Sequence, residues 1–292
     1  MALVLAQISP AAATVAPRPD PDTVRWTRLV FEAKHRLGGA RTEIRLAAVS
    51  EPPGNAAPLA GEHRAMLLTA TIALFSTLPL VGDSVWETEV RFRPHDGSAL
   101  QRIRTKFGTG ADRKIFQYLA DGVRHVRLEP ADRPGGDVRA RSWVPVRETF
   151  FPYGPAAYGC PFISDPALLL FLASAVPLSP DDPPLVVCAF NKKTLHRAEL
   201  RATGTHSVSV DRVPAMTGNG AGAASLDAVS VLVSSRPAAA APADEAPFEF
   251  FEMRGDVEIV LDTATRLPIQ ARGTLRHAGA VVFDLVEADT AR

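Results

Sequence analysis

Several classes of protein are excluded by what this 292-residue chain lacks. It has two cysteines, too few for a disulfide framework, and its seven histidines show no metal-ligand spacing. It has no net charge, with 32 basic and 32 acidic residues, so no global field draws it to nucleic acid or anionic membrane. No apolar run approaches the ~20 residues of a transmembrane helix, because Ala65 to Leu80 is broken by Thr69, Thr71, Ser76, Thr77 and Pro79. The phosphate-binding loop, the nucleophile elbow, the zinc-protease helix and C-x-x-C are all missing. The glycines at 218, 220 and 222 do not make a dinucleotide fingerprint, and Asp181-Asp182 and the pair His196/His206 fall short of a cation or zinc site. Nothing in the chain argues for an enzyme, a metal or a cofactor.

What is present is alternation of period two. In Val85–Arg93, Trp86, Thr88, Val90 and Phe92 share a face and Glu87, Glu89, Arg91 and Arg93 the other. After the turn Pro94–Gly97 comes Ala99–Phe107, then Lys114–Leu119, the Asp121-Gly122 turn and Val123–Leu128, an antiparallel meander. Trp26–Lys34, Arg41–Val49 and the buried run Ala65–Phe75 precede it. The C-terminal third continues with Leu185–Phe190, Thr194–Ala202, His206–Val213, Ser225–Ser234, Phe248–Met253, Val257–Leu261, Leu267–Leu275 and Ala280–Glu287. One helix interrupts: Asp165 is an N-cap, Pro166 suits the first position, Ala167–Ala175 is apolar all round, and Pro177 stops it. The expected fold is all-β, a large curved antiparallel sheet or half-barrel with this short helix packed against it. A single domain over 24–290 is expected, with a flexible Ala/Pro insert at 236–247.

Residues 1–23 read either as a disordered tail or as the remnant of a signal segment. The apolar stretch and the small-residue run before Pro17 are there, but a basic start is missing. Cys160 and Cys188 could pair in an oxidising compartment, worth about 3 kcal/mol in the chain-entropy model, or could be two buried thiols.

Two features stand out as candidate sites. Trp143, Phe150, Phe151, Tyr153, Tyr158 and Phe162 are interleaved with prolines and glycines, so they read as an aromatic loop, either a plug in one end of the core or a lid and rim for a ligand. From Arg91 to Arg141 there are 12 basic residues against 6 acidic, and Arg102, Arg104 and Lys106 share one strand face. That face could meet an anionic partner or headgroups. It would be neutralised internally if Glu89 lies opposite Arg102 and Glu87 opposite Arg104, as a four-residue Pro94–Gly97 loop would place them.

The run Val257–Asp262, the turn Thr265-Arg266-Leu267-Pro268-Ile269, Gly273 and the closing strand Val281–Val286 resemble the final hairpins of a bacterial family of envelope proteins catalogued as a domain of unknown function. Ser164-Asp165-Pro166, opening an apolar helix before the hairpin Leu185–Ala202, is similar to that family's helix start. The resemblance implies a secreted, periplasmic half-barrel, similar in architecture to carriers that hold lipoproteins or lipids in a hydrophobic concavity. It carries over no catalytic residue. The chain departs from the family in the missing basic start, which leaves a cytoplasmic location open, and in the insert at 236–247.

Together these readings make the chain a non-enzymatic cell-envelope protein, not transmembrane, holding a lipid or lipidated segment in a β-sheet concavity. The alternative is an assembly factor docking a protein partner through an edge strand or the basic face.

Overall fold

A computed structural model describes residues 18–35, 38–49, 65–76, 83–108, 110–131, 142–157, 159–210, 224–238, 247–276 and 278–290. Residues 1–17 of the N-terminal segment, 239–246 of the Ala/Pro insert, the glycines 218–222 and Tyr158 lie outside the described residues.

Alternation and tight turns build two meanders that meet. The first comprises β1 (Trp26–His35), β2 (Gly38–Val49), β3 (Ala65–Ser76), β4 (Ser84–Phe92), β5 (Ala99–Lys106), β6 (Asp112–Tyr118), β7 (Gly122–Pro130) and β8 (Trp143–Pro152). The second comprises β9 (Ile163–Ser164), β10 (Leu185–Asn191), β11 (Thr194–Val210), β12 (Ala224–Pro237), β13 (Glu249–Phe250), β14 (Met253–Asp262), β15 (Pro268–Leu275) and β16 (Gly279–Thr290). They form one 16-stranded sheet, β8 to β1 in reverse order and then β16-β15-β14-β12-β11-β10-β9, with β13 as a short branch on β14. The join is β1 on β16, where Trp26 stands opposite Thr290. Among the described residues only the pairing of β9 with β10 is parallel.

This sheet wraps a helix that could not stand alone. Asp165 caps it, its carboxylate accepting from the Ala167 N–H at 3.0 Å, and a 3-10 turn at Pro166–Leu168 runs into α1 (Leu169–Ala175). Seven residues are too few for a stable isolated helix. Stability comes from burial: Leu168, Leu169, Leu170, Phe171 and Leu172 are at most 1% exposed, worth together about 10 kcal/mol on the usual area scale. Phe171 meets Phe92 edge-on at 4.8 Å. Gly97, at φ +73°, lets the β4–β5 turn close on the helix, since a Cβ there would stand 2.7 Å from Leu172 Cδ2.

The C-terminal end of the helix is also held. Arg266 donates to the carbonyls of Ala173 and Val176, and Trp26 Nε1 donates to Ser174 Oγ. Asp20, in the segment expected to be a tail or signal remnant, donates its N–H to Ala175 O at 2.9 Å.

The curl closes through side chains. Phe116 of β6, Val123 of β7, Tyr153, Phe190 of β10 and Leu195 of β11 form a second apolar cluster, so the β6–β8 end stands against β10–β11. Phe151 lies 5.7 Å from Phe190 between ring centroids. A disulfide joins Cys160, after β8, to Cys188 of β10 inside this cluster. The result is a half-barrel of curved antiparallel sheet around one short helix.

Four elements differ from expectation, one being the expected strand Phe248–Met253, which is broken at Phe251–Glu252 between β13 and β14. Residues 143–152 are a strand and not a loop. They form the edge of the sheet, where Pro145 sits beside a bulge and Pro152 at the end, so the missing N–H groups cost little pairing. Thr194–Ala202 and the described part of His206–Val213, as far as Val210, merge into β11, because a bulge between Ala202 and Gly204 takes up the residue that reads as a break. A bulge at Arg91/Phe92 shifts the β4–β5 register by one, so Val90 and not Glu89 opposes Arg102, and Thr88 and not Glu87 opposes Arg104.

Candidate ligand cleft on the concave face

That register shift sets the chemistry of the concave face. Residues directly opposite in an antiparallel pair share a face, and Val90 is fully buried against the core. Arg102, Arg104 and Lys106, read as a surface patch, therefore point inward with it. The row continues across the sheet: Arg104 opposes Lys114, Lys114 opposes Arg127, and Arg127 opposes Arg147. Asp112 meets Lys114 at 3.3 Å and Arg127 at 3.7 Å, and Glu129 meets Arg127 at 3.2 Å.

Deepest in this face lies a buried polar knot. The Asp165 side chain has no solvent exposure, and its Oδ2 takes Arg102 Nη1 at 3.0 Å and the Tyr118 hydroxyl. The Arg102 guanidinium also lies over the Phe116 ring, 4.1 Å from its centroid. Burial works against the Arg102 charge, but the Asp165 carboxylate outweighs it and raises the pKa. Burial, then the same carboxylate, drive the Tyr118 phenol well above its usual value, so it stays a donor. Beside it His125 stacks on Phe116 at 4.5 Å. Burial, then Lys114 and Arg102, lower its pKa to about 4, leaving it neutral near pH 7.

Above the knot the concavity opens as two adjoining chambers. The polar one, about 60 Å³, is lined by Arg102, Arg104, Asp165, Asn191, Lys192, Glu249 and Glu252 among others. Its ions are paired: Arg104 to Glu252 at 2.6 Å, and Lys192 and Arg254 to Glu249, both at 2.7 Å. Burial alone would raise the Glu249 pKa, but its bonds to Lys192 and Arg254 hold it below the usual range. The apolar chamber, about 20 Å³, lies between the sheet and the helix and is walled by Phe31, Ile44, Leu170, Phe250, Met253 and Phe283. Phe251 lines both. It forms with Glu252 the two-residue turn between β13 and β14, where Phe250 opposes Met253. Both turn residues have positive φ, +46° and +67°.

With that geometry in view, comparison with known proteins adds one distant likeness. No family model matches the chain, and no curated protein does. Among solved structures the chain is similar to the crystal structure of a beta-barrel-like protein of domain of unknown function DUF1849 from Brucella abortus. The match is 10% identical with a TM-score of 0.46, and it covers 92% of this chain and 99% of that one.

The aromatic residues singled out in 143–162 are not gathered on one rim. Trp143 lies under Arg113, whose Cζ is 4.6 Å from the ring, and Phe150 is exposed on the edge strand. Phe151 and Tyr153 belong to the second cluster, while Phe162 packs on the main core. The cleft draws instead on residues that sequence reasoning passed over, namely Asp165 as an acceptor, Tyr118, Lys192, Glu249 and the run Phe250-Phe251-Glu252. Only the run itself has a signal, the close spacing of Phe248, Phe250 and Phe251.

His125 provides a pH signature. The unfolded chain protonates it near pH 6.5 and the folded protein only near pH 4. Its contribution to stability is therefore complete above pH 6.5 and lost as the pH falls toward 4. Urea midpoints measured from pH 7 to 4 will fall more steeply for the wild type than for His125→Gln, and parallel profiles would contradict this.

Proposed function

We propose that this protein is a non-enzymatic cell-envelope protein that holds an apolar ligand, the acyl chain of a lipid or lipidated segment, in the concavity of its half-barrel. The observation that carries the reading is the apolar chamber between sheet and helix. Phe31, Ile44, Leu170 and Phe283 wall a crevice there of about 20 Å³, lined almost wholly by apolar side chains, which admits more of a chain as Phe251 moves aside. The acidic groups near it support binding over catalysis, since Asp165, Glu249 and Glu252 are each engaged by a cation. The Cys160–Cys188 disulfide supports an oxidising compartment such as the periplasm.

The test is binding of the neutral fluorescent probe N-phenyl-1-naphthylamine. Ala271, opposite Phe283 on β15, lines the crevice. A folded Ala271→Phe variant is expected to bind the probe at least ~10-fold more weakly than the wild type. Unchanged binding would contradict the assignment.

Docking of an extended partner segment by strand pairing is a second reading, favoured by one observation. The edge strand β8 exposes Val144, Val146 and Phe150, which are 47%, 51% and 46% accessible. A photocrosslinking residue at Val146 is then expected to give a discrete protein adduct in cells, lost in Phe150→Lys. The same adduct pattern from exposed Val282 of β16, away from the edge, would remove this reading.

A further inference from the structure

We propose that the two chambers are one site for a single-chain anionic amphiphile, with the Phe251–Glu252 turn as its latch. The acyl chain enters the apolar chamber, about 20 Å³ with the turn closed, as Phe251 swings out, and its carboxylate or phosphate lies on Arg104 and Lys192. This rests on the apolar-ligand reading above and names the class of ligand.

Three observations converge on it. The chambers share a wall, Phe251, so a chain and a headgroup joined by a few bonds span them without crossing the core. The cations at the polar end are met by carboxylates in the geometry an anionic headgroup would adopt, Glu252 on Arg104 at 2.6 Å and Glu249 on Lys192 at 2.7 Å. Arg104 and Glu252 are each about a quarter exposed, which leaves this ion pair open to exchange. The row Arg104, Lys114, Arg127 and Arg147 runs along the concave face, and the carboxylates of Glu252, Asp112 and Glu129 that meet it leave a small positive excess, which favours arrival of an anion.

The latch follows from the turn itself. Two-residue hairpin turns of this kind call for Asn-Gly or Asp-Gly because both positions need positive φ. Here they are Phe and Glu at +46° and +67°, a strained backbone of the sort found at ligand clamps. The Arg104–Glu252 pair holds the turn down with Phe251 against the apolar chamber. An incoming headgroup that takes over Arg104 releases Glu252, relieves the turn and moves Phe251 out of the path of the chain.

The experiment measures binding of palmitate, lysophosphatidate and neutral monopalmitin to the full chain by calorimetry, each below its own micelle threshold. Trp86, whose ring lies 6.0 Å from the Arg104 guanidinium, gives a local fluorescence readout. Both anionic probes are expected to bind at least ~10-fold tighter than monopalmitin, and their order distinguishes a carboxylate ligand from a phosphate one. Glu252→Gln, which frees Arg104 and loosens the latch, is expected to tighten palmitate about tenfold, and Arg104→Gln to weaken it about tenfold. Monopalmitin binding as tightly as palmitate overturns the headgroup site and leaves the apolar-ligand reading standing. Failure of all three probes to bind overturns both. A folded Glu252→Gln variant with wild-type affinity overturns the latch.

Discussion

The Asp165 carboxylate is the point on which the two halves of the structure hang. Fully buried, it accepts from the Ala167 N–H at the start of the helix, from Arg102 of β5 and from Tyr118 of β6. A charge so removed from water is tolerated only when its lone pairs are filled. The carboxylate therefore requires the helix and the far arm of the first meander to meet at one place. Ion pairs of this depth contribute little net stability compared with a well-packed apolar substitute, but losing one partner is costly. Their effect is on specificity. Here that specificity is the curl of the sheet over the helix.

The rest of the concavity follows from that junction. On one side lies the main core, with the helix wrapped by β1 to β5 and β10 to β16. On the other lies the smaller cluster around Phe116 and Phe190, tied by the Cys160–Cys188 disulfide. Tyr118 packs against both. Because Arg102 must face inward to reach Asp165, Arg104 and Lys106 face inward too, and the strands beyond bring Lys114, Arg127 and Arg147 into the same row. The placing of these cations in the cleft is thus a by-product of the junction.

Local signals in the sequence carry most of the fold. Alternation marks β4 to β7, and Asp165-Pro166 ahead of an apolar run marks the helix, because caps and pleats act over a few residues. What is hidden there is hidden for physical reasons. A bulge such as that at Arg91/Phe92 adds one residue without disturbing composition, yet it reverses which face opposes Arg102. The strand β8 is masked by Pro145 and Pro152, tolerated only because it is an edge. The turn at Phe251-Glu252 lacks the Asn or Gly that would announce it, and the partners of Asp165 come from distant strands. The candidate site is built from these exceptions. The aromatic cluster of 143–162, though conspicuous in the sequence, divides among surface, second cluster and main core.

The most direct test of the junction is a double-mutant cycle on Arg102 and Asp165, read by urea unfolding at pH 7. Asp165→Asn keeps a side-chain oxygen for the Ala167 cap while removing the charge, and Arg102→Met keeps the aliphatic length over Phe116. Each single variant is expected to lose about 3–5 kcal/mol by stranding its partner. The double variant is expected to lose at least about 2 kcal/mol less than their sum. Additive losses would mean that the two groups do not act as a pair, and that the curl of the sheet rests on apolar packing alone.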